Sequence, residues 1–229
     1  MATSDDSHEK IVWRAEKTLI GVDEVGRGCL AGPLVAGAVE LPVWASRCAK
    51  MPRLFDSKRM TERQRLVAYQ WIIERCSCGL GIIHPRSIDK FNIWRATILA
   101  MKRAVFSLLS TRNSAAGPVP HAILVDAMPV DLVGSSYVDM EIKAFPRAEE
   151  ASLSVAAASI FAKVSRDRLM ADLAGCFPSY SLASHKGYAT RQHLSALSFH
   201  GHSLIHRLSF LRRKSMQESG DSEGQGSIC

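Results

Sequence analysis

Ile20-Gly-Val-Asp-Glu-Val-Gly-Arg-Gly-Cys-Leu-Ala-Gly-Pro-Leu-Val-Ala-Gly-Ala-Val39 contains two apolar runs separated by a glycine-rich loop. Leu19 to Val22 reads as a buried strand, and it ends on two adjacent acids, Asp23 and Glu24. Gly26-Arg27-Gly28 follows at once, and Leu34 to Val39 reads as a second strand. Carboxylates at the end of a buried strand are costly to desolvate unless a cation or hydrogen bonds compensate. Glycines beside them leave room for close approach of another molecule to the backbone. Acids for a metal, bare backbone for a ligand and Arg27 for a phosphate point to metal-dependent phosphoryl-transfer chemistry. Two other readings compete. An Asp-Glu pair after a strand also suits a solvated turn. Gly26-Arg-Gly-Cys-Leu-Ala31 fits the G-x-G-x-x-A dinucleotide fingerprint, but that motif needs a helix to open there. Gly32-Pro33 and a strand follow instead, and the two carboxylates upstream repel a pyrophosphate.

The chain has 229 residues, 47% hydrophobic and 22% charged, which fits one large domain or a domain with a small appendage. Its formal net charge of +7 understates how basic the body is. Residues 1–10 set Asp5, Asp6 and Glu9 against Lys10, and residues 215–229 carry Glu218, Asp221 and Glu223 with no cation. So basic a body favours a polyanion, and in the absence of a basic amphipathic helix we expect nucleic acid rather than a membrane surface. Met1 to Lys10 is polar and lacks the apolar core of a signal peptide, and no apolar run is long enough to span a bilayer, so a cytoplasmic protein is expected. The six cysteines are scattered and expected to be reduced thiols, and Cys76-x-Cys78 lacks a second pair at zinc spacing. His200, His202 and His206 are expected to form a structural cluster rather than a zinc site.

Further along, Thr61-Glu-Arg-Gln64 has the form of a capping box, and Leu66, Tyr69, Ile72, Ile73 and Cys76 recur at helical spacing. Gly79 to Ile83 reads as a third strand. A long helix is expected over Asp89 to Leu109, with Ile93, Ala96, Ala100, Met101 and Ala104 on its buried face. Ser110 to Pro120 reads as a loop. Ala122-Ile-Leu-Val125 reads as a strand ending on Asp126, and Tyr137 to Ile142 as one more. Ser154 to Leu173 is an alanine-rich helix, with short helices expected at Thr190–Leu197 and Ser203–Arg212. Strands followed by alternating helices and strands make an α/β protein, a mixed sheet flanked by helices with a small C-terminal helical region. The expected divisions are a flexible N-terminus (1–10), a catalytic domain (11–176), a C-terminal helical substrate-contacting region (177–214) and a disordered tail (215–229).

Asp23 and Asp126 occupy matching places, each closing a short apolar strand. If those strands are parallel neighbours, both acids lie at one sheet edge, where rigid supports let carboxylates converge on divalent ions. Adjacent side chains on a regular strand point to opposite faces, so Asp23 and Glu24 share a metal only if the strand ends or bulges there. Alternatively, Glu24 binds partly through its backbone carbonyl.

Ile20 to Val39 closely resembles the first signature of the ribonuclease HII family. Further resemblance lies in Asp56-Ser57-Lys58, in Ile88-Asp89-Lys90-Phe91-Asn92-Ile93 with Ala96-Thr97, and in Ala158-Ser159-Ile160-Phe161-Ala162-Lys163-Val164-Ser165-Arg166-Asp167. Ser184-His185-Lys186-Gly187-Tyr188-Ala189-Thr190 and His206-Arg207-Leu208-Ser209-Phe210 extend it, so that it runs from about residue 19 to 210. The resemblance implies a ribonuclease H-like fold and four metal-binding, catalytic acids, of which Asp23, Glu24 and Asp126 match the first three. The fourth is usually an aspartate in a Lys-Gly-Asp segment ahead of the alanine-rich helix, where this chain has Arg147-Ala148-Glu149 with Glu150 next. Glu149 is therefore the expected fourth acid, with Glu150 as substitute, and a helix N-terminal acid pair is the plain alternative. A second departure is Ala127-Met128 after Asp126, where Asp-Gly-Asn is common.

The resemblance further implies that Gly26, Arg27 and Gly28 read the ribose 2′-OH and that Tyr188 stacks on the adjoining deoxyribose. Lys58, Lys163, Lys186 and Arg207 are candidate phosphate contacts, which orient a duplex without reading its bases. The implied partners are RNA–DNA hybrids and ribonucleotide-containing duplex DNA, with no membrane and a monomeric protein. The implied reaction is hydrolysis 5′ of a ribonucleotide at a two-ion Mg²⁺ or Mn²⁺ site, leaving a 3′-hydroxyl and a 5′-phosphate. The rival class is a catalytically silent nucleic-acid-binding protein whose metal site is degraded at Glu149.

Overall fold

β1 (Leu19–Val25) organises the molecule because every neighbouring layer contacts it. The computed structural model describes residues 7–112 and 120–212. β1 pairs antiparallel with β2 (Leu34–Glu40), which pairs antiparallel with β3 (Ser77–Ile83). On its other side β1 runs parallel to β4 (Ala122–Asp126), which runs parallel to β5 (Glu141–Phe145), giving the order β3-β2-β1-β4-β5. The β1–β4 register sets Leu19 against Ala122 and Val22 against Val125, so Asp23 and Asp126 come next on each strand.

Side-chain alternation sorts the two faces. Leu19, Val39 and Leu124 pack on one side, with α2 (Glu62–Arg75) and α4 (Leu153–Cys176). Ile20, Val22, Ala36, Ile123 and Val125 pack on the other, under α3 (Pro85–Thr111). α3 and α4 each sit directly on glycines of the sheet. A Cβ at Gly37 would lie 2.8 Å from the Ala158 carbonyl oxygen of α4, and one at Gly81 would lie 1.8 Å from that of Ala100 in α3. Alanines on the facing helices complete the close approach.

The capping box at Thr61 is present, and α2 follows from it. Its buried face is Ala68, Tyr69, Trp71 and Ile72, whereas Leu66 and Ile73, which share the helical spacing, are each 42% exposed. The helix rests on only part of α4, so one side of its apolar band stays wet. α3 starts at Pro85, ahead of the expected Asp89, because His84 Nδ1 caps the Arg86 N–H. Asn92 breaks it (φ 64°) and accepts from the Arg95 N–H, starting a second helical stretch.

Three expectations need correction. Residues 7–10 are not a flexible N-terminus but part of α1 (Ser7–Arg14); residues 1–6 lie outside the described residues. Glu9 is fully buried, and its Oε1 accepts from Ser152 Oγ (2.5 Å) and the Ser154 N–H (3.0 Å), so α1 supplies a carboxylate to the positive end of α4. Tyr137 to Met140 forms turns, and β5 begins only at Glu141, because this edge strand is held by β4's backbone rather than by an apolar face. Finally, Ser203–Arg212 is helical only over 208–212. The backbone before it is used otherwise: the Ile205 carbonyl accepts from the Gly32 N–H, and the Arg207 N–H donates to the Leu30 carbonyl.

After α4 come α5 (Leu182–His185) and α6 (Arg191–His200), which share a small core of Tyr180, Leu182 and Ile205 with Ala31 and Met170. Asp89 caps the 208–212 helix by accepting from the Leu208 and Ser209 N–H groups (3.0 and 2.9 Å). Most of the expected 110–120 loop (residues 113–119) and the expected tail, 215–229, lie outside the described residues. Among the described residues no helix is long and apolar enough to cross a membrane.

Candidate active site

Asp23 shares a face with Leu19 and Gly21, and Asp126 with Ala122 and Leu124, so both aspartates point to the α4 side of the sheet. They sit side by side, and the charge of Asp126 acts on Asp23, Glu24 and Glu149 alike. Burial, then the charge of Glu24, holds the Asp23 carboxyl well above its usual range, with Asp126 adding to the effect. Hydrogen bonds from Ser159 and the Glu24 N–H (2.7 Å) oppose this. Ser159 is in turn 2.9 Å from Ser57 Oγ, so the Asp56-Ser57-Lys58 segment supports Asp23 through one intervening hydroxyl. Asp126 Oδ1 accepts from the Ala148 N–H (3.1 Å), which ties β4 to the short 3₁₀ turn Ala148–Glu150.

The bulge or strand end expected at Asp23–Glu24 is absent. β1 stays paired with β2 through Val25, and the alternation carries the Glu24 side chain away from Asp23. Glu24 Oε1 lies 3.6 Å from Arg27 Nη1, and its buried Oε2 has no hydrogen-bond partner. Burial raises the Glu24 carboxyl; Arg27 offsets part of that and Asp126 adds to it. Glu149, not Glu150, faces the aspartates: burial raises its carboxyl, with Asp126 and Asp56 adding, while Glu150 is exposed and paired with Arg147 at 3.4 Å.

Gly26 and Gly28 do different things. A Cβ at Gly26 (φ 90°) would lie 2.3 Å from Arg166 Nε, whereas nothing stands within 4 Å of one at Gly28. Gly26 thus makes room for a buried guanidinium, and only Gly28 leaves open space. Arg166 and Arg207, both fully buried, hold this loop. Arg166 donates to the carbonyls of Pro33 (2.9 Å), Ala31 (3.3 Å) and Lys186 (2.9 Å). Arg207 donates to those of Gly32 (2.9 and 3.1 Å) and Arg27 (2.9 Å), and burial lowers its pKa to about 10. Arg207 is therefore not placed as a phosphate contact: it is fully buried, with each of its three nitrogens donating to a backbone carbonyl.

The ribonuclease HII family model matches residues 20–213. A ribonuclease HII of Fusobacterium nucleatum is 41% identical over 198 residues, covering 86% of this chain and 87% of that protein. One from Lactobacillus delbrueckii subsp. bulgaricus is 44% identical over 207 residues, covering 89% and 73%. The chain belongs to the ribonuclease HII family. It is accordingly a metal-dependent endoribonuclease. The ribonuclease H2 of Pyrococcus horikoshii shares the fold, with a TM-score of 0.64 at 24% identity over 86% of this chain and 96% of that one.

The acids suit the divalent ion that ribonuclease HII chemistry requires. Four carboxylates share this region; burial pushes Asp23, Glu24 and Glu149 upward, and Glu24 also has a buried oxygen with no hydrogen-bond partner, which makes a site that a hard cation stabilises. Among the described residues no three such side chains are already closed into a metal cage. Asp23, Asp126 and Glu149 could together hold an ion on the α4 side, whereas the Glu24 side chain leaves the opposite face of β1 and could reach such an ion only from there or through its backbone carbonyl.

Both departures from the ribonuclease HII pattern have a structural reading. Glutamate at 149 reaches from a 3₁₀ turn whose first residue follows Arg147 in the left-handed region (φ 58°). Ala127 sits at φ 54°, the conformation for which glycine is suited, and it is exposed, so its methyl packs on nothing. Ala127→Gly is expected to stabilise the protein by about 1 kcal/mol, read as a higher denaturation midpoint at unchanged slope.

Of the other predicted contacts, Lys58 is exposed beside Glu149, and Lys186 is half-buried with its backbone accepting from Arg166. Lys163 is paired with Asp167 (2.7 Å) on its own helix. Tyr188 is 41% exposed. The histidine cluster exists but with other members: His206 meets His193 and, through it, His185, rather than His200 and His202. Burial, then His193, lowers the His206 pKa to about 4, and burial with a smaller push from His185 lowers that of His193. Unfolded histidines titrate near 6.5, so the unfolded chain takes up more protons than the fold between there and about 4. Stability is expected to fall as pH drops through that window, and His206→Gln to flatten the melting-temperature profile. Sequence reasoning missed the roles of Ser57, Ser159, Arg166 and Glu9. The first three lay within recognisable segments, but no local pattern marks their partners.

Proposed function

We propose that this protein hydrolyses the RNA strand of RNA–DNA hybrids and cuts on the 5′ side of single ribonucleotides embedded in duplex DNA. The observation that carries the reading is the side-by-side placement of Asp23 and Asp126 at paired strand ends, next to a loop whose Gly28 is open. Asp23, Glu24, Asp126 and Glu149 hold Mg²⁺ or Mn²⁺, hard ions suited to carboxylates. Bound there as a pair, the ions supply an activated water and charge neutralisation for the departing 3′-oxygen. Ser159 and the Ala148 N–H hold Asp23 and Asp126 in place by hydrogen bonds.

Recognition falls to the loop that the two buried arginines hold. The open backbone at Gly28 and Arg27 meets the ribose 2′-OH, the group that separates RNA from DNA. The exposed Tyr188 ring stacks on the sugar beyond it. Lys58 and Lys186 meet phosphates. The 2′-OH serves recognition and is not the nucleophile, so the products carry a 3′-hydroxyl and a 5′-phosphate.

An end-labelled DNA duplex with one ribonucleotide, incubated with Mg²⁺, Mn²⁺ or chelator, tests this. A metal-dependent cut just 5′ of the ribonucleotide is the expected product. Cleavage of long hybrids alone removes the junction role of Tyr188. Cleavage of neither substrate overturns the reading.

A further inference from the structure

His193 and His206 are joined by a ring-to-ring hydrogen bond whose direction is fixed independently from both ends. At one end the Ser203 backbone N–H, which only donates, lies 2.9 Å from His206 Nδ1. That nitrogen therefore accepts, and neutral His206 carries its proton on Nε2. At the other end His193 Nδ1 lies 2.9 Å from the Tyr188 carbonyl oxygen, which only accepts. His193 therefore carries its proton on Nδ1, and its Nε2 accepts. The two deductions meet at the 3.1 Å contact between the Nε2 atoms, where they require one donor and one acceptor and find both. Reversing either tautomer sets two protons or two lone pairs against each other.

His185 completes the arrangement. Its ring stacks on His193 with centroids 4.4 Å apart. The Gly187 N–H donates to its Nδ1 (3.2 Å), leaving Nε2–H to donate to the Tyr180 carbonyl (2.7 Å). The Tyr188 N–H donates to the His185 carbonyl (3.0 Å). The Tyr188 backbone is thus gripped at its N–H by the His185 carbonyl and at its carbonyl by His193 together with the Thr190 N–H (2.9 Å), while its ring remains exposed. The Tyr180 ring stands edge-on to His206 at 4.7 Å and closes that side of the relay.

We propose that His193 and His206 are positioning residues for substrate discrimination: the relay from Ser203 through His206 and His193 to the Tyr188 carbonyl sets the angle at which the tyrosine ring meets the sugar beside a ribonucleotide. The proposal rests on the junction-reading role of Tyr188. It separates the relay, which touches no substrate, from the acids that perform hydrolysis. Loss of the relay therefore changes which substrate is preferred rather than whether cleavage occurs.

The test is the ratio of cleavage rates on a duplex with one ribonucleotide and on a uniform RNA–DNA hybrid, at one pH and metal concentration so that the chemical step cancels. His193→Leu, which removes the side-chain donor to the Tyr188 carbonyl and leaves only the Thr190 N–H there, is expected to lower that ratio about tenfold. His193→Asn, whose amide N–H replaces Nδ1–H, is expected to keep it within about twofold of the unmodified protein. An unchanged ratio in His193→Leu, with the ratio lost in Tyr188→Ala, overturns the relay alone. A ratio unchanged in Tyr188→Ala overturns the junction reading beneath it, and the relay with it. Ring ¹⁵N spectra of the unmodified protein decide independently of any variant's folding. Protons on His206 Nε2 and His193 Nδ1 support the relay, and the opposite tautomer at either ring overturns it.

Discussion

Asp23→Asn is expected to reduce metal-dependent cleavage by roughly a thousandfold or more while leaving salt-dependent binding to duplexes intact. The amide keeps the acceptor for the Glu24 N–H and a partner for Ser159, so the local geometry survives. What disappears is one negative charge at the point where Asp126 and Glu24 also press on the site. Without metal, that charge is buried against its own kind, and burial weighs most in pushing its carboxyl upward. The variant is therefore expected to melt at a higher temperature than the unmodified protein in chelator. Mn²⁺ is expected to raise the melting temperature of the unmodified protein much more than that of the variant, because a ligand stabilises only the form that binds it. Cleavage at the normal rate by Asp23→Asn would remove Asp23 from the site.

Gly21→Ala is expected to cost at least about 3 kcal/mol of folding stability. The added Cβ would lie 2.1 Å from the Ser154 carbonyl carbon, 2.2 Å from the Val155 nitrogen and 2.3 Å from the Ser154 oxygen. All three are backbone atoms, so no side-chain rotation relieves the overlap. α4 cannot back away cheaply, because Glu9 and Ser152 pin its first turn. Lifting it would also disturb Ser159 and Arg166, so surviving folded protein should cleave poorly. Gly175→Ala is the control. It lies in the same helix with nothing within 4 Å of its Cβ position, and it should be neutral or stabilising by up to about 1 kcal/mol. Equal urea midpoints for the two variants would contradict the close contact of β1 and α4.

The local elements were legible because their signals are local. The Thr61 capping box and the apolar runs that lead into Asp23 and Asp126 depend on neighbours a few residues away; each element begins where its pattern places it, although β1 runs on through Glu24 to Val25. Tyr137 to Met140 misled because its apolar residues do pack, Tyr137 and Met140 against the core under α3, but from turns rather than from a strand paired to the sheet. Leu66 and Ile73 misled because helical spacing marks an apolar band without saying how much of it another layer covers.

By itself, the sequence determined that two acids follow one buried apolar run, that a third follows another, and that a glycine-bracketed arginine stands close by. Only the tertiary structure decided that those strands are parallel neighbours in register, and that Glu149 rather than Glu150 turns towards Asp126. It also decided the fates of the arginines. Arg27 stays 40% exposed beside Glu24, while Arg166 reaches Ala31 across 135 residues and Arg207 reaches Gly32 across 175. A guanidinium suits a phosphate or a row of backbone carbonyls equally well. Which of these it meets depends on what the fold carries to it from far along the chain.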